Sequence, residues 1–103
     1  MKISILLPYK ENFSPNYPGA VSLFVKDTSV ISKYKNGVKI YGNTNYKKKL
    51  LSNYINVKMD KKLFQGNNIL YVKSFLKYEK KINSDIIEIH NRPKYLDLVK
   101  KNS

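Results

Sequence analysis

Asp85-Ile86-Ile87-Glu88-Ile89-His90-Asn91-Arg92-Pro93 decides how this chain is read. Ile86 to Ile89 form a short apolar strand, and three polar side chains, His90, Asn91 and Arg92, follow it directly. Pro93 then ends strand pairing and opens a helix, where its missing amide hydrogen would have had no intrahelical partner. In open α/β sheets ligands bind in the crevice beyond the carboxyl ends of the strands. Polar residues placed immediately after a strand are therefore where chemistry is expected, and the rest of the chain is what holds that strand end in place.

Working back to the amino end, Ile3-Ser4-Ile5-Leu6-Leu7 is a β-rich apolar run closed by Pro8, suited to a central strand covered on both faces. Tyr9 to Gly19 contains Ser14-Pro15, Tyr17-Pro18 and Pro18-Gly19, which forbid helix and strand alike. A connection of this length exceeds the roughly 2–6 residues usual between strand and helix, and such loops are often functional. From Ala20 to Tyr34 the periodicity is helical. Val30, Leu23, Tyr34, Ala20, Ile31, Phe24 and Val21 fall on one broad apolar arc, expected to pack on the sheet, with Ser22, Lys26, Ser29 and Lys33 opposite. Asp27 projects from the middle of the apolar arc, so it needs a partner, water, or a place at the open edge of the interface. Lys35-Asn36-Gly37 is expected to stop the helix, with Asn36 or Gly37 left-handed. A second strand, Val38 to Tyr41, follows and is closed by Gly42-Asn43. Strand, loop, helix and strand make a βαβ unit with parallel strands.

The region from Thr44 to Gly66 is polar and rich in lysine. Lys47-Lys48-Lys49, with Leu50 and Leu51, is expected to form a short helical turn, and Tyr54-Ile55-Asn56-Val57 alternates like a third strand. In the helix expected from Ile69 to Ile82, Tyr78, Tyr71, Ile82, Phe75, Val72, Leu76 and Ile69 line one arc, and Lys73, Lys77, Lys80 and Lys81 the other. The basic arc is either a solvated face or a membrane-surface contact.

Composition bounds the rest. With 103 residues, 42% of them hydrophobic, the chain can build one small core but not two. The absence of cysteine excludes disulfides and thiolate metal sites and is compatible with a reducing cytoplasm. The run from Ile3 to Pro8 is far short of the ~20 residues of a membrane-spanning helix. It also ends, at Pro8, Lys10 and Glu11, before the roughly 7–15 apolar residues of a signal peptide. A formal charge of +13 admits an anionic partner: nucleic acid, a membrane surface or a phosphorylated substrate. Nearly all of it is lysine in a chain equally full of Asn, Ile and Tyr, the bias an AT-rich genome imposes on any surface.

The opening strand, the loop ending Pro18-Gly19-Ala20, the helix after it, the strand Val38 to Tyr41 and above all Asp85 to Pro93 resemble the N-terminal portion of a bacterial family 4 glycosyltransferase of the two-domain GT-B architecture. The resemblance runs over essentially the whole chain. It implies an α/β, Rossmann-like parallel sheet with flanking helices, residues 1–103 forming a partial, acceptor-side domain cut off within its fold. It implies transfer of a sugar from a nucleotide-sugar to a surface glycan or lipid-linked acceptor with retention of configuration, in the cytoplasm, peripheral at an anionic inner membrane. Gly19 and Ala20 would lie at the glycine-rich loop near the donor phosphates and the acceptor, where the family often has a second glycine in place of Ala20. His90, Asn91 and Arg92 would face the same cleft, His90 as the catalytic candidate and Arg92 either on phosphate or carboxylate or in a salt bridge to Glu88 or Asp27. Most of the nucleotide-sugar site, including a pair of glutamates, would belong to a C-terminal domain with no counterpart here, so the chain alone would be inactive. No metal and no cofactor beyond the donor substrate is implied.

Two other classes compete. A nucleic-acid-binding protein would use the lysines with tyrosines as stacking platforms, but Arg occurs once and no RNP pattern, GXXG loop or zinc finger is present. A flavodoxin-like or receiver-like module would need an acidic cluster where the first strand ends in Leu7-Pro8.

Overall fold

Strand β1 (Ile3–Leu6) is the centre of the architecture, paired on both sides in a four-stranded, all-parallel sheet. The computed structural model describes residues 1–33, 35–59, 67–90 and 99. After β1 come helix α1 (Ala20–Ile31), β2 (Val38–Gly42), β3 (Tyr54–Asn56), helix α2 (Asn67–Ile82) and β4 (Ile86–Ile89). The spatial order is β3-β2-β1-β4. Ile3 stands opposite Val38 on one side and Ile86 on the other, and Leu6 opposite Tyr41 and Ile89. This is a Rossmann-like α/β fold: consecutive strands build outward from β1 through β2 to β3, and α2 then carries the chain back across to β4.

Alternation along β1 divides the core in two. Ile5 and Leu7 join Val38, Ile40, Phe13 and Val25 of α1 in one buried cluster. Leu6 joins Tyr41, Val57, and Tyr71, Val72, Phe75 and Leu76 of α2 in the other. The helices therefore cover opposite faces of the sheet, as a central strand apolar on both faces requires. On the α2 side Ser4 replaces an apolar residue, and its hydroxyl donates to Glu79 Oε2 at 2.7 Å. Ser84 donates its amide to Glu79 Oε1 at 2.7 Å, and its hydroxyl lies 2.6 Å from that of Ser4. Ser4 has a single hydrogen and gives it to Glu79, so Ser84 is the donor in the second contact. The buried carboxylate thus locks the last turns of α2 to the amino ends of β1 and β4.

Helix α1 departs from the sequence pattern. It buries Ser22, Val25 and Ser29 and leaves Leu23, Phe24, Val30 and Ile31 exposed, Ile31 at 83%. Full burial of each such side chain is worth roughly 1.5–3 kcal/mol, so the orientation needs a cause. The cause is the space above β1 and β2, which Phe13, Leu50, Leu51 and Tyr54 already occupy. Small serines let α1 approach that filled face, and Glu11 satisfies the buried Ser22 hydroxyl. Asp27 is accordingly on the water side, 3.6 Å from Lys26. Helix α2 keeps its expected face inward except for Ile69, which is 36% exposed.

Two local expectations also change. Lys35–Gly37 form a 3-10 turn, and neither Asn36 nor Gly37 has a positive φ. Gly37 is needed instead for close approach, because a β-carbon there would lie 1.9 Å from the Met1 carbonyl oxygen. Lys47 to Leu51 are irregular rather than helical, since Leu50 donates its amide across to the Phe13 carbonyl at 3.2 Å. The left-handed stop occurs at the end of α2, where Asn83 has φ 55° and donates to the Glu79 carbonyl. Tyr34, Asn91 and Arg92 lie outside the described residues, as does the helix expected from Pro93 apart from Val99, which packs on the α2-side cluster.

Candidate functional site at the carboxyl ends of the strands

The order β3-β2-β1-β4 places the topological switch point between β1 and β4, where a crevice opens beyond the carboxyl ends of the strands. The backbone continues tightly into it on both sides. The Leu7 amide donates to the Tyr41 carbonyl at 2.9 Å, and the His90 amide to the Leu6 carbonyl at 3.3 Å. From beneath, the Tyr71 hydroxyl of α2 donates to the Leu7 carbonyl at 2.6 Å, with the Tyr41 carbonyl 3.3 Å away.

His90 follows β4 directly and is half-buried. Its Nε2 is 2.7 Å from Glu88 Oε2, two residues back on the same face of the strand. Nε2–H donating to the carboxylate fixes the ring orientation and the tautomer, and leaves Nδ1 as the nitrogen this pairing offers to a ligand. Phe24 meets the ring edge-on at a centroid distance of 6.1 Å. Phe24 lies one turn beyond Ala20, so the start of α1 and the end of β4 flank one crevice. Contact between α1 and the end of β4 is thus made at Phe24, one turn beyond Gly19 and Ala20.

The amino end of α1 is, however, already engaged. Gly19 is its N-cap residue and makes no side-chain cap. Glu11, from the loop after β1, supplies one: its Oε2 accepts the Ser22 amide at 3.1 Å and the Ser22 hydroxyl at 2.8 Å. The helix dipole and the unpaired amides of the first turn favour a negative group there. An anion brought to Gly19 meets a carboxylate of the chain itself.

The loop after β1 is joined to the loop after β2 by Asn12. Its Oδ1 accepts the Thr44 hydroxyl at 2.9 Å, its Nδ2 donates to the Tyr17 carbonyl at 3.4 Å, and its carbonyl accepts the Gly19 amide at 3.3 Å. Phe13 stacks on Tyr54 with centroids 5.3 Å apart, and Lys49 lies 4.9 Å above the Tyr54 ring. Burial holds the Lys49 ammonium below the usual lysine value and pushes the Tyr54 phenol well above the usual tyrosine value. The resulting rim carries Tyr17, 81% exposed, against Tyr46. Glu11, Asn12, Tyr17, Thr44 and Tyr46 were not legible as site residues, because no local pattern announces a bond between two irregular loops.

Lys73, Lys77 and Lys80, with Leu76, line a cavity of about 170 Å³ on α2. This is the opposite layer of the sheet from α1, and Lys80 and Lys81 follow Glu79, which meets the amino end of β1. The basic face of α2 is therefore separate from the crevice at Gly19 and His90. No group of three or more His, Cys, Asp or Glu residues suited to a metal occurs among the described residues, and no helix among them is long and apolar enough to cross a membrane.

No family model matches the chain, and no curated protein or solved structure matches it either. Fold and site geometry define the class as a Rossmann-like α/β structure with a switch-point crevice.

Proposed function

We propose that this chain is the acceptor-side, N-terminal part of a retaining glycosyltransferase of GT-B architecture, which moves a sugar from a nucleotide-sugar to a cell-surface glycan or lipid-linked acceptor. The observation that carries the proposal is the placement of Asp85 to His90, the described part of the stretch bearing the resemblance: its Ile86–Ile89 form β4, beside β1, and His90 follows at the switch point. The acceptor lies between Gly19-Ala20 and His90, and Asn91 and Arg92, next in the sequence, belong to the same acceptor site. His90, oriented by Glu88, holds or moves a proton through Nδ1. The nucleotide-sugar is bound mainly by a second domain, so the isolated chain does not catalyse transfer, and no metal is required. The protein works in the cytoplasm at an anionic inner membrane, its lysines each contributing about 1 kcal/mol of attraction near the surface.

The test is to express the natural reading frame onward from codon 103 and assay incorporation of labelled sugar into membrane acceptors. Transfer that falls at least tenfold in His90→Ala supports the proposal. A frame that closes at Ser103, with no second α/β domain encoded beside it, overturns it.

A further inference from the structure

Two Asn-Tyr dipeptides, Asn16-Tyr17 after β1 and Asn45-Tyr46 after β2, are brought together on the rim. The rings are 6.4 Å apart and tilted by 44°. They form an exposed corner, Tyr17 at 81% and Tyr46 at 36%. The corner is built: Asn12 bonds both the Tyr17 carbonyl and the Thr44 hydroxyl, and Thr44 Oγ1 in turn accepts the Tyr46 amide at 3.3 Å. Tyr17 is held at φ 49°, a region a bulky residue rarely occupies and which concentrates at ligand clamps. Lys47 and Lys48, both exposed, follow Tyr46 directly, and Glu11, the acid of these loops, is turned to Ser22.

We propose that the Tyr17–Tyr46 corner is a subsite for a saccharide unit bearing a carboxylate or phosphate. A tyrosine face takes the apolar side of a sugar ring, neighbouring Asn amides take its hydroxyls, and Lys47 and Lys48 take its charge. The binding claim stands independently of glycosyl transfer; only the role of the bound saccharide as acceptor rests on that reading.

The test is amide chemical-shift mapping on the full chain with an acidic oligosaccharide (oligogalacturonate), a neutral one (a maltooligosaccharide), a single-stranded oligonucleotide and anionic vesicles. The acidic oligosaccharide is expected to shift Asn16, Tyr17, Asn45 and Tyr46 and to bind more tightly than the neutral one. Tyr17→Ala and Tyr46→Ala are each expected to weaken it about five-fold, and Tyr17→Phe to leave it unchanged. Shifts confined to Ala20 and His90, tighter oligonucleotide or vesicle binding at the same corner, or no saccharide response overturns the subsite. Saccharide binding at the corner in a protein that performs no transfer upholds the subsite and removes the transferase reading alone.

Discussion

A β-carbon on Gly19 would lie 1.7 Å from Oε2 of Glu11, the oxygen that caps the first turn of α1 through Ser22. The glycine is small because the chain's own carboxylate fills the space beside it. Gly19→Ala therefore acts by expelling Glu11, whose flexible side chain swings away and abandons both bonds. Loss of such a cap costs about 1 kcal/mol, and Glu11→Ala should cost the same. Truncating Glu11 removes the carboxyl atoms that crowd the added methyl most closely, so the double variant should be no less stable than either single one. A double-mutant cycle in urea should give a coupling of about 1 kcal/mol; additive losses would refute the mechanism.

That contact also marks where the sequence stopped being informative. All four strands were legible, β1, β2 and β4 as short apolar runs and β3 as an alternating piece, and β4 agrees to the residue. The helix start at Gly19-Ala20 and the strand end before His90 were legible because strand ends and helix starts are local features. Glu11 was not, since its partner is eleven positions away across an irregular loop. The rotation of α1 was misread for a related reason: periodicity identifies an apolar arc but not what already fills the face beneath it.

The orientation of α1 makes a direct prediction. Val25→Ala removes a fully buried side chain from the cluster with Phe13 and Ile40 and should cost roughly 1–3 kcal/mol. Ile31→Ser, at a position 83% exposed, should change stability by no more than about 0.5 kcal/mol. Urea midpoints compared at a common slope measure both. If Ile31→Ser were the costlier change, α1 would be rotated with its apolar arc inward.

Glu79 is 8% exposed and receives hydrogen bonds from the Ser4 hydroxyl and the Ser84 amide. Glu79→Ala removes the acceptor of a buried hydroxyl and of a partly buried amide and should cost about 1–3 kcal/mol. Glu79→Gln keeps one acceptor oxygen and should cost less. Hydrogen exchange at the Ser84 amide should accelerate more than at Leu7, whose bond to Tyr41 lies at the other end of the strands. Equal acceleration at both would mean that Glu79 supports the whole sheet rather than its amino edge.

Alkaline pH should destabilise the fold in a defined direction. Burial raises the Tyr54 phenol, and burial followed by the charge of Glu79 raises that of Tyr41, both from the ordinary value of 10.0. The folded state therefore retains protons that the unfolded chain releases. Stability from these phenols is complete below about pH 10 and falls as pH rises through their elevated folded values. Lys49 works the other way, since burial lowers it and deprotonation relieves the cost of its charge, but it is only half-buried and two tyrosines oppose it. Urea midpoints should thus drop above about pH 10, and Tyr54→Phe should flatten the drop while losing only a 3.0 Å bond to Asn56. In an ultraviolet titration, Tyr41 and Tyr54 should ionise in step with the loss of circular dichroism. Full ionisation of all nine tyrosines while the circular dichroism stays native would show that neither phenol is protected by the core.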